Sequence, residues 1–104
     1  MEITKIALAD KFFDIVDSGK KTTTIRYKHR DYKIGEGQFY SDTSDRTSNI
    51  YITNVLYKTF GELSDTDALT DGFNGVEELK SELLGFYPMA KDEDEVTKVV
   101  FYKK

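Results

Sequence analysis

The segment Gly19-Lys20-Lys21-Thr22-Thr23-Thr24-Ile25-Arg26 brings two ammonium groups, three hydroxyls and a guanidinium together within eight residues. A guanidinium in such company suits a phosphate or carboxylate, which it can meet with two parallel hydrogen bonds. A threonine hydroxyl becomes a nucleophile only beside a base. Lysine starts near pKa ~10.4, so acting as that base at neutral pH requires a fall of about three units, which burial or a cationic neighbour can supply. Strict alternation along a strand puts Thr24 and Arg26 on one face and Lys21 on the other. All three can share a pocket only if Lys21 sits in a turn before the strand begins. The other chemistry-bearing types offer less. His29 is the only histidine, lies between Lys28 and Arg30, and reads as an exposed loop residue. The run Asp92-Glu93-Asp94-Glu95 lacks the alternating spacing and central glycine of a calcium loop and reads as solvated.

The elements that must position this segment follow from periodicity. Ile3 to Leu8 reads as a strand. Ala9, Phe12, Phe13 and Val16 then recur at helical spacing, and Gly19 ends that helix. Residues 22–26 carry four β-branched side chains in five and read as the next strand. A polar, basic stretch runs over 27–35, and Gly35-Glu36-Gly37 reads as a turn before a strand over 38–42. Asn49 to Lys58 reads as a long strand, with Ile50, Ile52 and Leu56 on one face and Tyr51, Val55 and Tyr57 on the other. Ser64 and Asp67 form a capping box that opens a short helix ended by Gly72. Asn74 and Glu77 repeat the pattern ahead of a helix presenting Val76, Leu79, Leu83 and Leu84. Val96 to Tyr102 closes the chain as a strand after a loop holding Pro88. The order β-α-β-β-β-α-α-β predicts an α+β fold, a small mixed β-barrel with flanking helices, formed by residues 1–104 as one domain.

Composition narrows the function classes. The 104 residues contain no cysteine, which excludes disulfides and thiolate metal sites, and no cofactor or metal is expected. The start Met1-Glu2-Ile3-Thr4-Lys5 lacks a basic region followed by an apolar run, so no secretory leader is expected. No apolar stretch approaches the ~20 residues that span a bilayer. No membrane association is expected, and the cytoplasm is the expected address. The net charge of −4 argues against a general polyanion binder. Yet Lys20 to Lys33 holds six Lys/Arg and His29 against Asp31 alone, whereas Phe60 to Glu95 holds eleven acids against Lys80 and Lys91. A basic segment on an acidic chain can focus a local positive potential; two solvated surfaces of opposite sign are the plainer alternative.

The pattern Gly19-x-Lys21-x-x-Thr24-x-Arg26 resembles the G-x-K-x-x-E-x-R signature of the ASCH family, relatives of the PUA domain. Phe12 to Gly19 is similar to the family's helix before the signature. Ile34-Gly35-Glu36-Gly37, Asp71-Gly72-Phe73, Val76-Glu77-Glu78-Leu79, Tyr87 and Val99-Val100-Phe101 resemble its later segments in order, so the resemblance spans nearly the whole chain. Thr24 stands where the signature usually has Glu. That change matches a subgroup of small bacterial ASCH proteins with G-[RK]-K-T-x-T-I-R, which includes an amidohydrolase of N4-acetylcytidine. The resemblance implies a PUA-like barrel and a cleft for RNA, a nucleotide or a modified nucleoside. Gly19, Lys20, Lys21, Thr24, Arg26, Lys28 and Arg30 would bind the ligand, and Tyr27, Tyr32 and Tyr40 would offer stacking faces. By the subgroup's machinery, Thr24 would be the nucleophile and Lys21 the base. Gly72 occupies the register of the subgroup's catalytic Glu, leaving the adjacent Asp71 as the third candidate.

Three readings follow. Binding of RNA, a nucleotide or a nucleoside ranks first. Metal-independent deacylation of N4-acetylcytidine or a similar nucleoside is the alternative, and a protein-interaction module docking an acidic partner is the third. Lys21→Ala is expected to remove ligand binding or turnover with little loss of stability.

Overall fold

The structure, a computed structural model, describes residues 3–104; Met1 and Glu2, part of the stretch read for a leader, lie outside them. Five strands form one sheet: β1 (Thr4–Ala7), β2 (Thr23–Tyr27), β3 (Gly35–Tyr40), β4 (Thr47–Thr59) and β5 (Glu95–Lys103). Three α-helices accompany it: α1 (Phe13–Asp17), α2 (Asp65–Thr70) and α3 (Val76–Phe86). Short 3-10 turns at Asp10–Phe12 and Phe60–Glu62 lead into α1 and toward α2. The element order matches the one read from the sequence. The strands lie in the order β1-β3-β4-β5-β2, with β1 parallel to β3 and all other pairs antiparallel. The sheet curls into a half-barrel, and with its helices the chain is of α+β class. Its edges, β1 and β2, leave a seam. No helix among the described residues is long and apolar enough to cross a membrane.

The concave side of the sheet and α1 enclose a first core, with Ile6, Phe13, Val16, Phe39, Ile50 and Ile52 all within 1 % of complete burial. A second core joins β2 and β5 to α2 and α3 through Ile25, Val96, Phe60, Ala68, Leu79 and Leu83. Asp67 pins α2 to the sheet. Its Oδ2 accepts from the backbone N–H of Ser64, completing the capping box, and from Lys58 Nζ at 2.7 Å. Its Oδ1 accepts from Lys98 Nζ at 2.6 Å. Burial alone would raise the Asp67 pKa, but the hydrogen bonds from Lys58, Lys98 and Ser64 outweigh it and hold the carboxyl well below the ordinary range.

Four sequence expectations are corrected here. Gly35-Glu36-Gly37 is the start of β3 rather than a turn. A side chain at Gly37 would come within 3.1 Å of Ile52 Cδ1 and 3.2 Å of Ile50 Cγ1, so this glycine serves close packing inside the half-barrel, not chain reversal. In β4 a bulge between Ile52 and Asn54 shifts the alternation by one residue. Val55 therefore packs against the first core, and Leu56, expected beside Ile50 and Ile52, is exposed. The cap of α3 is Gly75, not Asn74; its first N–H, that of Val76, is taken by Asp65 Oδ1 at 2.9 Å. Leu84, expected on the buried face of α3, lies at its exposed edge, beside the fully packed Leu83.

Candidate functional site

Two glycine-capped helix ends meet at the site. After α1, Gly19 takes φ +83° and its N–H donates to the carbonyl of Val16. The N–H of Lys21 donates to Ile15 O at 3.0 Å, and that of Thr22 to Thr70 O at 2.8 Å. Lys21 thus belongs to a turn, with β2 starting two residues later, which frees it from strand alternation. After α2, Gly72 takes φ +93°, Phe73 N–H donates to Ala68 O, and Gly72 N–H donates to Leu69 O, a Schellman closure. Asp71 is the cap residue of that closure. Lys21 Nζ donates to the Asp71 carbonyl at 3.1 Å and contacts Asp71 Oδ1 as an ion pair. An ammonium placed here meets the negative end of α2 as well as a carboxylate. Asp71 Oδ1 takes no partner other than this ion pair among the described residues.

Gly72 is held to glycine by its backbone and by its neighbour on α1. A Cβ on Gly72 would lie 2.7 Å from Ile15 Cδ1, on a backbone that side chains rarely adopt. A side chain there would have to displace the tip of Ile15 and bear a strained positive φ. Gly72→Ala is accordingly expected to cost more than about 1 kcal/mol in urea-induced unfolding, whereas Gly85→Ala, with open space around it inside α3, should not destabilise.

Thr24 is 1 % exposed and its Oγ1 accepts from Arg26 Nη1 at 2.6 Å. Arg26 also donates to Ile25 O and, across the seam to β1, from Nη2 to Ala7 O at 2.6 Å. Burial lowers the pKa of Arg26. Burial first, and the Arg26 guanidinium second, push the Lys21 ammonium well below its ordinary pKa, while the touching Asp71 carboxylate opposes that fall.

These groups open onto one cleft of ≈ 550 Å³ between the seam and α3. Lys21, Thr24, Arg26 and Asp71 line it together with Arg30 and Lys5. Phe12, Tyr32, Tyr40, Phe73, Phe86 and Tyr87 supply aromatic surface, with Phe12 and Phe73 packed edge to face at 5.9 Å. Gly19, Lys20 and Lys28 were expected to bind ligand and do not line the cleft. Gly19 shapes the turn, Lys20 is exposed outside it, and Lys28, at φ +70°, lays its ammonium over the Tyr27 ring at 5.7 Å. Tyr27, expected as a stacking face, is buried against Tyr87, with its hydroxyl donating to Asp94 Oδ2. Asp94 is therefore a structural acceptor within the run read as solvated. His29 is exposed as expected; it pairs with Glu95 and stacks on Tyr57 at 4.1 Å.

Lys21 is buried and charge-paired, which corrects the expectation that its removal would cost little stability. Glu82 was missed. It lines the cleft from α3, within the apolar stripe Leu79, Leu83 and Phe86, and an acid inside such a stripe was the signal available.

Comparison with solved structures places the fold. An ASCH domain from Lactobacillus crispatus superposes with a TM-score of 0.76 at 12 % identity, covering 96 % of this chain and 79 % of that one. The chain has the ASCH fold. The same ASCH fold matches a protein from Enterococcus faecalis (TM-score 0.74, 15 % identity, 100 % and 77 % covered). It also matches a serine-to-alanine variant of an ASCH protein from Zymomonas mobilis (TM-score 0.67, 15 % identity, 95 % and 68 % covered). No family model and no curated protein matches the sequence. The likeness to ASCH structures is thus one of fold, and it agrees with the resemblance read from the signature around Gly19 and Arg26.

Proposed function

We propose that this chain is a binding domain for RNA, a nucleotide or a modified nucleoside, held in the cleft over Thr24 and Arg26. The observation that carries the reading is the meeting of hydrogen-bonding groups and aromatic walls in one hollow. A volume of ≈ 550 Å³ falls within the ~300–1,000 Å³ usual for small-ligand sites. A base would lie against Phe12, Phe73 or Tyr32, and its polar edge would meet Thr24, Arg26 and Arg30. The PUA-like fold, commonly an RNA-binding one, supports the same class. Titration of cytidine and of short single-stranded RNA at two salt concentrations tests it. Binding through Z phosphates weakens with log salt at a slope near −0.7Z, whereas a nucleoside held by hydrogen bonds shows almost no slope. Failure of every nucleoside and oligonucleotide to bind would overturn the reading.

A second reading is favoured by the ion pair, which brings the Asp71 carboxylate to Lys21 in the cleft that Thr24 lines. In it the chain deacylates N4-acetylcytidine or a similar nucleoside. Within the pair the Lys21 proton shifts to Asp71; Thr24 Oγ attacks the acyl carbonyl, its proton passes to the amine so freed, and Lys21 returns it to the departing cytidine N4. Water then cleaves the acyl-threonine, releasing the acid and restoring the hydroxyl. Thr24→Val separates the two readings. It removes the hydroxyl while keeping the shape, so release of cytidine from N4-acetylcytidine should fall at least about 100-fold. A binding domain should lose about tenfold in affinity or less.

A further inference from the structure

The charges lining the cleft do not amount to a basic groove. Lys21 is neutralised by Asp71, and Lys20 and Lys28 lie elsewhere. Arg26 spends Nη1 and Nη2 donors on Thr24, Ile25 and Ala7, and Arg30 donates its Nε to Tyr27 O at 2.9 Å. Against Lys5 and the two arginines stand Asp42, exposed in the loop after β3, and Glu82, so that with the Lys21–Asp71 pair the lining holds four cations and three acids. Glu82 differs from Asp42 in being largely covered, with its side chain 26 % exposed. It is flanked on α3 by Leu79, Leu83 and Phe86, which line the same cleft. Among the described residues its one salt-bridge partner is Lys11 at 2.9 Å, a side chain 61 % exposed that does not itself line the cleft. An exposed partner of this kind holds a carboxylate weakly. Glu82 can therefore turn its charge to a ligand.

We propose that Glu82 is a specificity-determining residue: its carboxylate accepts an N–H donor from the ligand and repels phosphate-bearing ligands from the α3 wall. This rests on the reading of the cleft as a site for nucleoside-type ligands. A carboxylate recognises the amino or amide edge of a base by the same pairing that proteins use for the cytosine amino group. It cannot pair with a phosphate oxygen without a shared proton.

The test compares cytidine and cytidine 5′-triphosphate as probes by calorimetry or equilibrium dialysis. Glu82→Gln should raise the affinity for the triphosphate relative to cytidine by roughly threefold to tenfold, the scale of one charge at a partly solvated distance. Lys11→Met keeps the carboxylate and removes its competing cation, so it should shift the same ratio the opposite way. If Glu82 mattered only as half of the bridge to Lys11, both variants would shift the ratio alike, and the proposal would fail. An unchanged ratio in Glu82→Gln, with both probes still bound, also overturns it and leaves the site reading standing. If the wild-type chain binds neither probe, the site reading and this inference fall together.

Discussion

Lys21→Ala should destabilise the fold by about 3–5 kcal/mol, the usual cost of leaving one member of a buried ion pair without the other. Lys21 and Asp71 are 3 % and 4 % exposed at their side chains, and Asp71 Oδ1 has no other partner among the described residues. The same change strips the end of α2 of the ammonium that meets the carbonyl of its cap residue. Loss of function in this variant alone would therefore say little about chemistry, since the site could be lost with the fold. Lys21→Met combined with Asp71→Asn removes both charges while keeping the volume. It should recover at least half of the stability lost in Lys21→Ala, measured by urea-induced unfolding. The folded double variant then reports on function cleanly. A binding site that relies on Thr24 and Arg26 keeps much of its affinity, and an amidohydrolase that needs Lys21 as base stays inactive.

Asp67→Ala should cost about 3 kcal/mol, by combining loss of a helix cap with two lysines left without their acceptor. Lys58 and Lys98 come from neighbouring strands, and Asp67 is the point where both are tied to α2. The pH dependence gives the sharper signature. The Asp67 carboxyl is held well below its ordinary pKa in the folded chain. Its contribution is fully present above the unfolded value of about 3.9 and is lost as pH falls toward the folded value. Stability of the wild-type chain should fall between about pH 5 and pH 2, and Asp67→Asn should lower stability at pH 7 while flattening that fall. An Asn variant with the wild-type slope would show that other carboxyls govern acid unfolding.

The turn from Gly19 to Lys21 was legible because glycine at a helix end has a local physical meaning, and the four β-branched residues after it have another. The Ser64 and Asp67 capping box was legible for the same reason, as it closes within one helical turn. What the sequence did not carry was set by distant partners. Gly37 looks like turn chemistry until Ile50 and Ile52 are seen to occupy the space of its missing side chain. The β4 bulge inserts one residue opposite β5, and no periodicity within β4 alone reveals it, so Leu56 was assigned to the wrong face. At the site, the basic run 20–33 suggested a concentrated positive surface. The fold disperses it, sending Lys21 inward, Lys20 outward and Lys28 over Tyr27. Asp71, fifty residues away, joins Lys21 only because both follow helix ends that close on the same point.

The most direct test of the cleft is an NMR titration of the chain labelled with nitrogen-15, using cytidine and N4-acetylcytidine as probes. The account predicts that amide shifts cluster at Thr24, Arg26, Arg30, Asp71 and Phe73, with Lys20, Lys28 and His29 unmoved. Shifts confined to the exposed basic residues Lys20 and Lys28, with Thr24 and Phe73 silent at saturation, would contradict it.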